Sequence, residues 1–319
     1  IISIKIMQRS VINVVLVWLM NNKLIYIAGP TCIGKTSLSI EIAKRLETEI
    51  ISCDSRQFYK ELKIGTSPPS REQLKEINHH FIHNKSLLDE YSVGDYEEDA
   101  ISTISNIFKN TNYIIIVGGS GLYADSVLYG IDEIPKVPIY IRNKLNIDFK
   151  TKGLVYLQKR LKELDPEYYK SVDLKNPNRL IRGIGVYEVS GKRISSLWTN
   201  TKKSREFKSI IILMKSNRDE LYNRINLRVD EMIKNGLEEE VYLLKKFKGC
   251  NALNTVGYKE FFSYFDEELS REEAINKIKK NTRNYAKRQI TWFKKYKNVI
   301  EYDIEDSTDN LLNKIYKNE

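Results

Sequence analysis

The run Gly29-Pro30-Thr31-Cys32-Ile33-Gly34-Lys35-Thr36 constrains this chain more than any other feature. It fits GxxxxGK[ST] at every fixed position. It follows the apolar run Leu24–Ala28 and precedes a segment in which Leu38, Ile42 and Leu46 share one helical face. Strand, glycine turn and helix in that order form a phosphate cradle. Successive backbone N–H groups and the helix N-terminus supply positive potential, and Lys35 adds a full charge. The Thr36 hydroxyl is placed to ligate Mg²⁺. The loop calls for a polyphosphate, but ATPases, kinases and other transferases share it.

The same alternation continues downstream. Glu49–Cys53 reads as a second strand with Asp54 at its carboxyl end, Tyr113–Val117 as a third ended by Gly118-Gly119, and Ile210–Met214 as a fourth. Continuous apolar strands alternating with helices predict an α/β fold, a P-loop NTPase-like parallel sheet with helices on both faces. Between Gly130 and Thr201, Pro135, Pro138, Pro166 and Pro177 punctuate helical stretches such as Leu154–Leu164. No strong strand occurs there. We therefore divide the chain into a catalytic core of residues 20–125 and 206–319, ending in basic helices, and a helical insertion domain of residues 126–205. A long helix is expected from an N-cap at Asn217 to Ile233, with Gly236 as its stop.

Composition excludes several classes. Of 319 residues, 41% are hydrophobic and 29% charged, which rules out a disordered or collagen-like chain. Cys32, Cys53 and Cys250 form no CxxC pair, so neither a disulfide framework nor a zinc site is expected, and a reducing, cytoplasmic setting fits. The 52 Lys and Arg against 42 Asp and Glu give a net charge of +10, which favours a polyanionic partner. The apolar run Val11–Met20 follows Lys5 and Arg9 but is too short to span a bilayer, and no small-residue cleavage site follows it. Residues 1–19 read as upstream sequence or a cloning remnant, with Met20 as the natural start. No membrane partner is expected, and a monomer is.

Three further clusters carry candidate chemistry. Asp54 leaves its strand where ligands bind in open α/β sheets and can accept a proton from an incoming nucleophile, though an Asp before Ser is also a common cap. Gly118-Gly119-Ser120-Gly121 has the composition of a strand-to-helix turn with close backbone approach. Arg224 and Arg228 stand four residues apart on one helical face, suited either to a diphosphate or to solvent. Tyr113–Val117 ends in Gly-Gly-Ser, where many phosphate-loop NTPases carry a magnesium-binding Asp, which makes simple hydrolysis a poor reading.

Six blocks, in order, resemble the tRNA dimethylallyltransferases (tRNA isopentenyltransferases) of bacterial type. They are Gly29–Thr36, Asp54-Ser55-Arg56-Gln57-Phe58-Tyr59, Gly118–Tyr123, Asn176–Arg182, Thr255–Glu260 and Thr282–Phe293. The resemblance spans Met20 to about Val299, and a start at Met20 gives the usual length. It implies transfer of a dimethylallyl group from dimethylallyl diphosphate to N6 of an adenosine next to the anticodon of tRNA, with release of diphosphate. By that resemblance Gly29, Pro30, Thr31, Cys32, Ile33, Gly34, Lys35, Thr36 and Arg228 hold the diphosphate, and Thr36 the Mg²⁺. Asp54 takes the amine proton, and Ser120, where the family often has Thr, touches the tRNA near the reacting base. Further contacts to the anticodon stem-loop are implied for Asp54, Ser55, Arg56, Gln57, Arg142, Asn178, Arg179, Arg182, Gly257, Tyr258 and Lys259. One departure is that Gly183 and Gly185 stand where Ala and Glu are expected. Two helical glycines cost roughly 1 kcal/mol each and are expected to loosen the insertion.

From Lys277 to Lys297 there are nine Lys and Arg and no acidic residue. Ile278, Tyr285, Ile290 and Phe293 form a stripe expected to pack inward, while Lys279, Arg283 and Lys287 share another face. With Arg288 they are read as contacts to an RNA backbone. Rival readings are a prenyltransferase acting on free AMP, ADP or ATP, a small-molecule kinase, and a non-catalytic RNA-binding module. The insertion and the Thr291-Trp292-Phe293 ending favour tRNA over a free nucleotide.

Overall fold

The computed structural model describes residues 22–199 and 201–317. Residues 1–19, read above as upstream sequence, lie outside them. The chain forms two compact units, the second being Gly130–Lys203 and the first the residues on either side.

The first unit begins β1 (Lys23–Ala28), α1 (Lys35–Arg45), β2 (Ile50–Ser52), α2 (Arg71–Glu76), β3 (His79–His80), α3 (Val93–Ile107), β4 (Tyr113–Val117) and α4 (Gly121–Tyr129). The insertion carries α5 (Ile139–Leu164), α6 (Pro166–Ser171), α7 (Pro177–Ser190) and α8 (Ile194–Leu197). The first unit then resumes with β5 (Lys208–Lys215), α9 (Arg218–Lys234), α10 (Leu237–Leu243), α11 (Tyr258–Phe265), α12 (Arg271–Phe293), β6 (Ile300–Asp303) and α13 (Thr308–Lys317).

One six-stranded sheet runs β3-β2-β4-β1-β5-β6, and every pairing is parallel. β1 is buried along its whole length between β4 and β5, which is why it reads as uninterrupted apolar sequence. The expected fourth strand is the fifth in chain order. The two-residue β3 is too short to leave a period in the sequence. Side chains of β1 separate into two cores: Leu24 and Tyr26 pack with Phe58, Tyr96 and Phe261 on one face, Ile25 and Ile27 with Leu38, Ile42 and Ile225 on the other.

Helix starts follow local chemistry. Ser70, Ser92 and Ser270 each open a reciprocal capping box, and the Asn217 side chain accepts the Asp219 N–H at 2.8 Å. α9 ends at Lys234, and Gly236 then serves as the left-handed N-cap of α10, at φ 94°.

The basic run differs from expectation in two respects. α12 stops at Phe293, and Lys295 and Tyr296 turn to Asp125 of α4, the Tyr296 hydroxyl donating to Oδ1 at 2.8 Å. Its inward positions are Ala274, Ile278, Ala286, Gln289 and Phe293, while Ile290 is exposed. Ile278 and Phe293 thus pack inward as expected, joined by two alanines and a glutamine, and Ile290 does not.

Among its described residues the insertion carries helices and no strand, with a core including Leu145, Leu157, Leu161, Tyr168, Leu180 and Ile184. Gly153, at φ 77°, breaks α5. Buried Asp165 accepts the Tyr168 N–H at 3.0 Å, the Ser195 N–H at 2.9 Å and the Ser195 hydroxyl at 2.7 Å, tying α6 to α8. The expected loosening at Gly183 and Gly185 is corrected here. A Cβ on Gly183 would lie 2.7 Å from the Tyr168 ring, and one on Gly185 2.7 Å from Val137. Both glycines are buried because neighbouring side chains occupy that space.

Candidate active site

The phosphate loop adopts the geometry its sequence demands. Gly34 caps α1 at φ 103°, a conformation an L side chain rarely takes. The Lys35 ammonium lies within the loop and donates to the carbonyls of Gly29 and Pro30 at 2.9 and 2.8 Å. Burial lowers its pKa from 10.5 to about 8, against the opposing pull of Asp54. Thr36 stands in the first turn of α1 and lines the same cavity. Thr31 is different from its neighbours: its N–H does not serve the cradle but donates to Gln289 Oε1 of α12 at 2.8 Å.

Asp54 follows β2 at the carboxyl edge of the sheet. Its Oδ1 accepts the Arg56 N–H at 3.0 Å, so the turn-capping reading holds for one oxygen while the carboxylate still faces the cleft. Next to it, Ser120 Oγ accepts the Ser55 N–H at 3.1 Å and donates to the Ser55 hydroxyl at 3.1 Å. The turn at Gly118 fits because nothing larger can: a Cβ there would lie 2.8 Å from the Cys53 carbonyl carbon and 2.9 Å from the Asp54 nitrogen. The ends of β2 and β4 are thereby pressed together.

Two adjoining cavities of about 280 and 640 Å³ open over these strand ends. Their shared walls include Thr31, Cys32, Asp54, Thr66, Ser67 and Arg228. The larger holds Gly34, Lys35 and Thr36. The smaller is lined by Ser55, Arg56, Gly257, Lys259, Tyr285 and Arg288. The loop residues Gly34, Lys35 and Thr36 thus lie at one end, cations and an aromatic at the other, and Asp54 with Arg228 at the junction. Burial, with Asp54 nearby, holds the Tyr285 phenol well above its ordinary pKa and therefore neutral.

The two arginines of α9 part company. Arg228 reaches the junction, whereas Arg224 pairs with Glu220 at 2.6 Å on the outside. Gln57 braces the opposite wall, its amide donating to the carbonyls of Thr66 and Ser67 at 3.2 Å each. That wall has a second support which the sequence did not disclose. The Glu240 carboxylate accepts the N–H groups of Lys63, Ile64 and Gly65 at 2.8–3.1 Å, and the Tyr258 hydroxyl at 2.6 Å. Three successive donors converging on one carboxylate form an anion nest built by the protein for its own use.

Several expected RNA contacts are differently placed. Tyr258 is fully buried with its hydroxyl on Glu240, so its side chain does not face a ligand; this corrects the expectation. Lys279 pairs with Asp230 at 2.6 Å, Arg283 donates to Asn226 at 2.6 Å, and Lys287 lies 6.0 Å from the Tyr222 ring centre. That basic face therefore turns toward α9. In the insertion, Asn178, Arg179 and Arg142 are exposed and Arg182 is half-buried. Burial first, then the Arg142 charge, lowers the Arg182 pKa.

Gln289 is the residue sequence reasoning missed. Its place within Lys287-Arg288-Gln289 in the most distinctive motif was available as a signal, but its partners were not.

Comparison with known proteins agrees with this geometry. Residues 57–296 match the family model described as IPP transferase. A tRNA dimethylallyltransferase of Christiangramia forsetii is 49% identical over 296 residues, covering 93% of this chain and 98% of that protein. Its counterpart in Flavobacterium psychrophilum is 48% identical, covering 91% and 97%. The crystal structure of the tRNA isopentenylpyrophosphate transferase of Bacillus halodurans superposes with a TM-score of 0.66 at 32% identity, covering 93% of this chain and 95% of that one. A eukaryotic dimethylallyltransferase acting on tRNA shares the fold, with a TM-score of 0.78 at 24% identity over 93% and 80% of the two chains. With the phosphate loop, the strand-end carboxylate and the sheet all in their places, this chain belongs to the IPP transferase family, alongside the tRNA dimethylallyltransferases.

Proposed function

We propose that this chain transfers a dimethylallyl group from dimethylallyl diphosphate to N6 of an adenosine next to the anticodon of tRNA, releasing diphosphate. The observation that carries the reading is the position of Asp54, at the junction between the phosphate loop and the cavity lined by Arg56, Lys259 and Arg288. Gly29 to Thr36 and Arg228 bind the diphosphate. The N6 lone pair attacks the first carbon of the prenyl chain as its C–O bond breaks, and the bonding electrons leave with the diphosphate. Lys35 and Arg228 meet the charge that develops there, which is where preorganised cations lower a barrier most. Asp54 accepts the amine proton. No covalent enzyme intermediate is needed, so alignment is the main demand on the protein.

The donor set suits Mg²⁺. Thr36 offers a hard oxygen beside the diphosphate site, and no cluster of three His, Cys, Asp or Glu that could hold a metal alone occurs among the described residues. Such a site matches an ion that prefers phosphate oxygens and water to a protein cage. When bound there, Mg²⁺ supplies further charge neutralisation on the leaving group.

Ser55, Arg56, Ser120, Gly257, Lys259 and Arg288 would face the anticodon loop, and Arg142, Asn178, Arg179 and Arg182 would engage the tRNA from the insertion. Lys279, Arg283 and Lys287 serve chiefly to seat α12 on α9. No helix among the described residues is long and apolar enough to cross a membrane. We place the reaction in the cytoplasm, with the protein acting as a monomer.

The test is direct. Purified protein, dimethylallyl diphosphate and Mg²⁺ are incubated with either unmodified tRNA or AMP, and the nucleosides are analysed. Prenylated adenosine from tRNA alone is expected. Prenylated AMP with unmodified tRNA, or phosphoryl transfer from ATP without consumption of dimethylallyl diphosphate, defeats the reading.

A further inference from the structure

We propose that Gln289 is a positioning residue that fixes the spacing between the leaving-group side and the nucleophile side of this site. The inference rests on the function proposed above. Gln289 lies on α12, is only 5% exposed, and makes two hydrogen bonds to two different loops. Its Oε1 accepts the Thr31 N–H at 2.8 Å, and its Nε2 donates to the Gly119 carbonyl at 3.0 Å. The two partners fix the orientation of the amide, since turning it over would set donor against donor and acceptor against acceptor.

Those loops have opposite tasks. Thr31 belongs to the loop after β1, which receives the diphosphate. Gly119 belongs to the turn after β4, whose next residue, Ser120, is hydrogen-bonded to Ser55 beside Asp54. β1 and β4 are neighbours in the sheet, and Gln289 joins the loops that follow them. The fit is close: a Cβ on Gly119 would lie 2.0 Å from Gln289 Nε2. The Thr31 N–H is given to the amide and not to the cradle, so this contact sets the loop's position without itself touching the diphosphate. A misplacement of about 1 Å between reacting groups can cost on the order of a hundredfold in rate.

The test compares wild type with Gln289→Met, which keeps the length and removes both hydrogen bonds. Single-turnover transfer is measured at saturating dimethylallyl diphosphate and tRNA, with pyrophosphate and tRNA binding measured separately. The rate constant is expected to fall by roughly ten- to a hundredfold, while both binding constants stay within about threefold. Reaction amplitude reports the folded fraction, so a merely structural defect would lower amplitude and leave the rate constant. Gly119→Ala pushes the same amide from the opposite side and should give the same change. The double variant should be no worse than the more affected single variant. A wild-type rate constant in both single variants overturns the proposal, as does collapse of both binding constants together. Failure of the wild-type protein to prenylate tRNA would instead overturn the function on which it rests.

Discussion

Lys279 on α12 and Asp230 on α9 form an ion pair at 2.6 Å, with the lysine largely covered and the aspartate half exposed. The pair neutralises a charge that the sequence alone would assign to an RNA-facing surface. Arg288, by contrast, opens into the cleft with Lys259 and Arg56. The two cations should therefore respond differently to mutation.

For Arg288→Ala, tRNA affinity should fall and the slope of log affinity against log salt should lessen by about one unit, because one phosphate contact is lost. Lys279→Ala should leave that slope unchanged. Titrations of tRNA at several salt concentrations decide the matter. Equal slopes for Arg288→Ala and wild type would remove Arg288 from the backbone contacts.

Asp54→Asn separates the two roles of that carboxylate. Asparagine keeps a side-chain oxygen for the Arg56 N–H and loses the basicity. Single-turnover transfer should drop by about 10²–10⁴, the usual range for a general base, with tRNA binding unchanged. A variant retaining more than about a tenth of the rate would show that Asp54 is only a cap.

Diphosphate binding should depend on pH through Lys35. Burial lowers its pKa from 10.5 to about 8, so between those values the unfolded chain holds a proton that the folded one lacks. Stability contributed through this group therefore rises with pH across that window, and below about 8 the full cost of burying the ammonium is present. A bound diphosphate should pair with the ammonium and restore its proton. Calorimetry just above pH 8, in buffers of different ionisation enthalpy, should show more proton uptake on pyrophosphate binding in wild type than in Lys35→Arg. Because arginine stays charged, the comparison cancels the ligand's own titration. Equal uptake would contradict the assignment.

Gly183→Ala sets two effects against each other. Helix propensity favours alanine by roughly 1 kcal/mol, but the new methyl meets the Tyr168 ring at 2.7 Å and Leu161 at 3.0 Å. Overpacking of this kind costs about 1–3 kcal/mol, so net destabilisation is expected. Chemical denaturation of the two proteins measures it, and a more stable alanine variant would mean that the insertion has slack at this point.

The sequence by itself determined whatever depends on neighbours along the chain. The loop from Gly29 to Thr36, the buried strand before it, the N-cap at Asn217 and the position of Asp54 after β2 all follow from local chemistry, because backbone donors, caps and strand periodicity act within a few residues. Tertiary structure decided the partners of polar side chains. Thr31 and Gln289 are 258 positions apart, and Gly119 and Gln289 are 170 apart. Glu240 collects donors from a loop more than a hundred and seventy positions earlier, and Lys279 is neutralised from another helix. A glutamine that braces a loop and one that faces solvent are the same letter. What separates them is desolvation and a fixed pair of partners, and both arise only when the sheet brings distant loops to one edge.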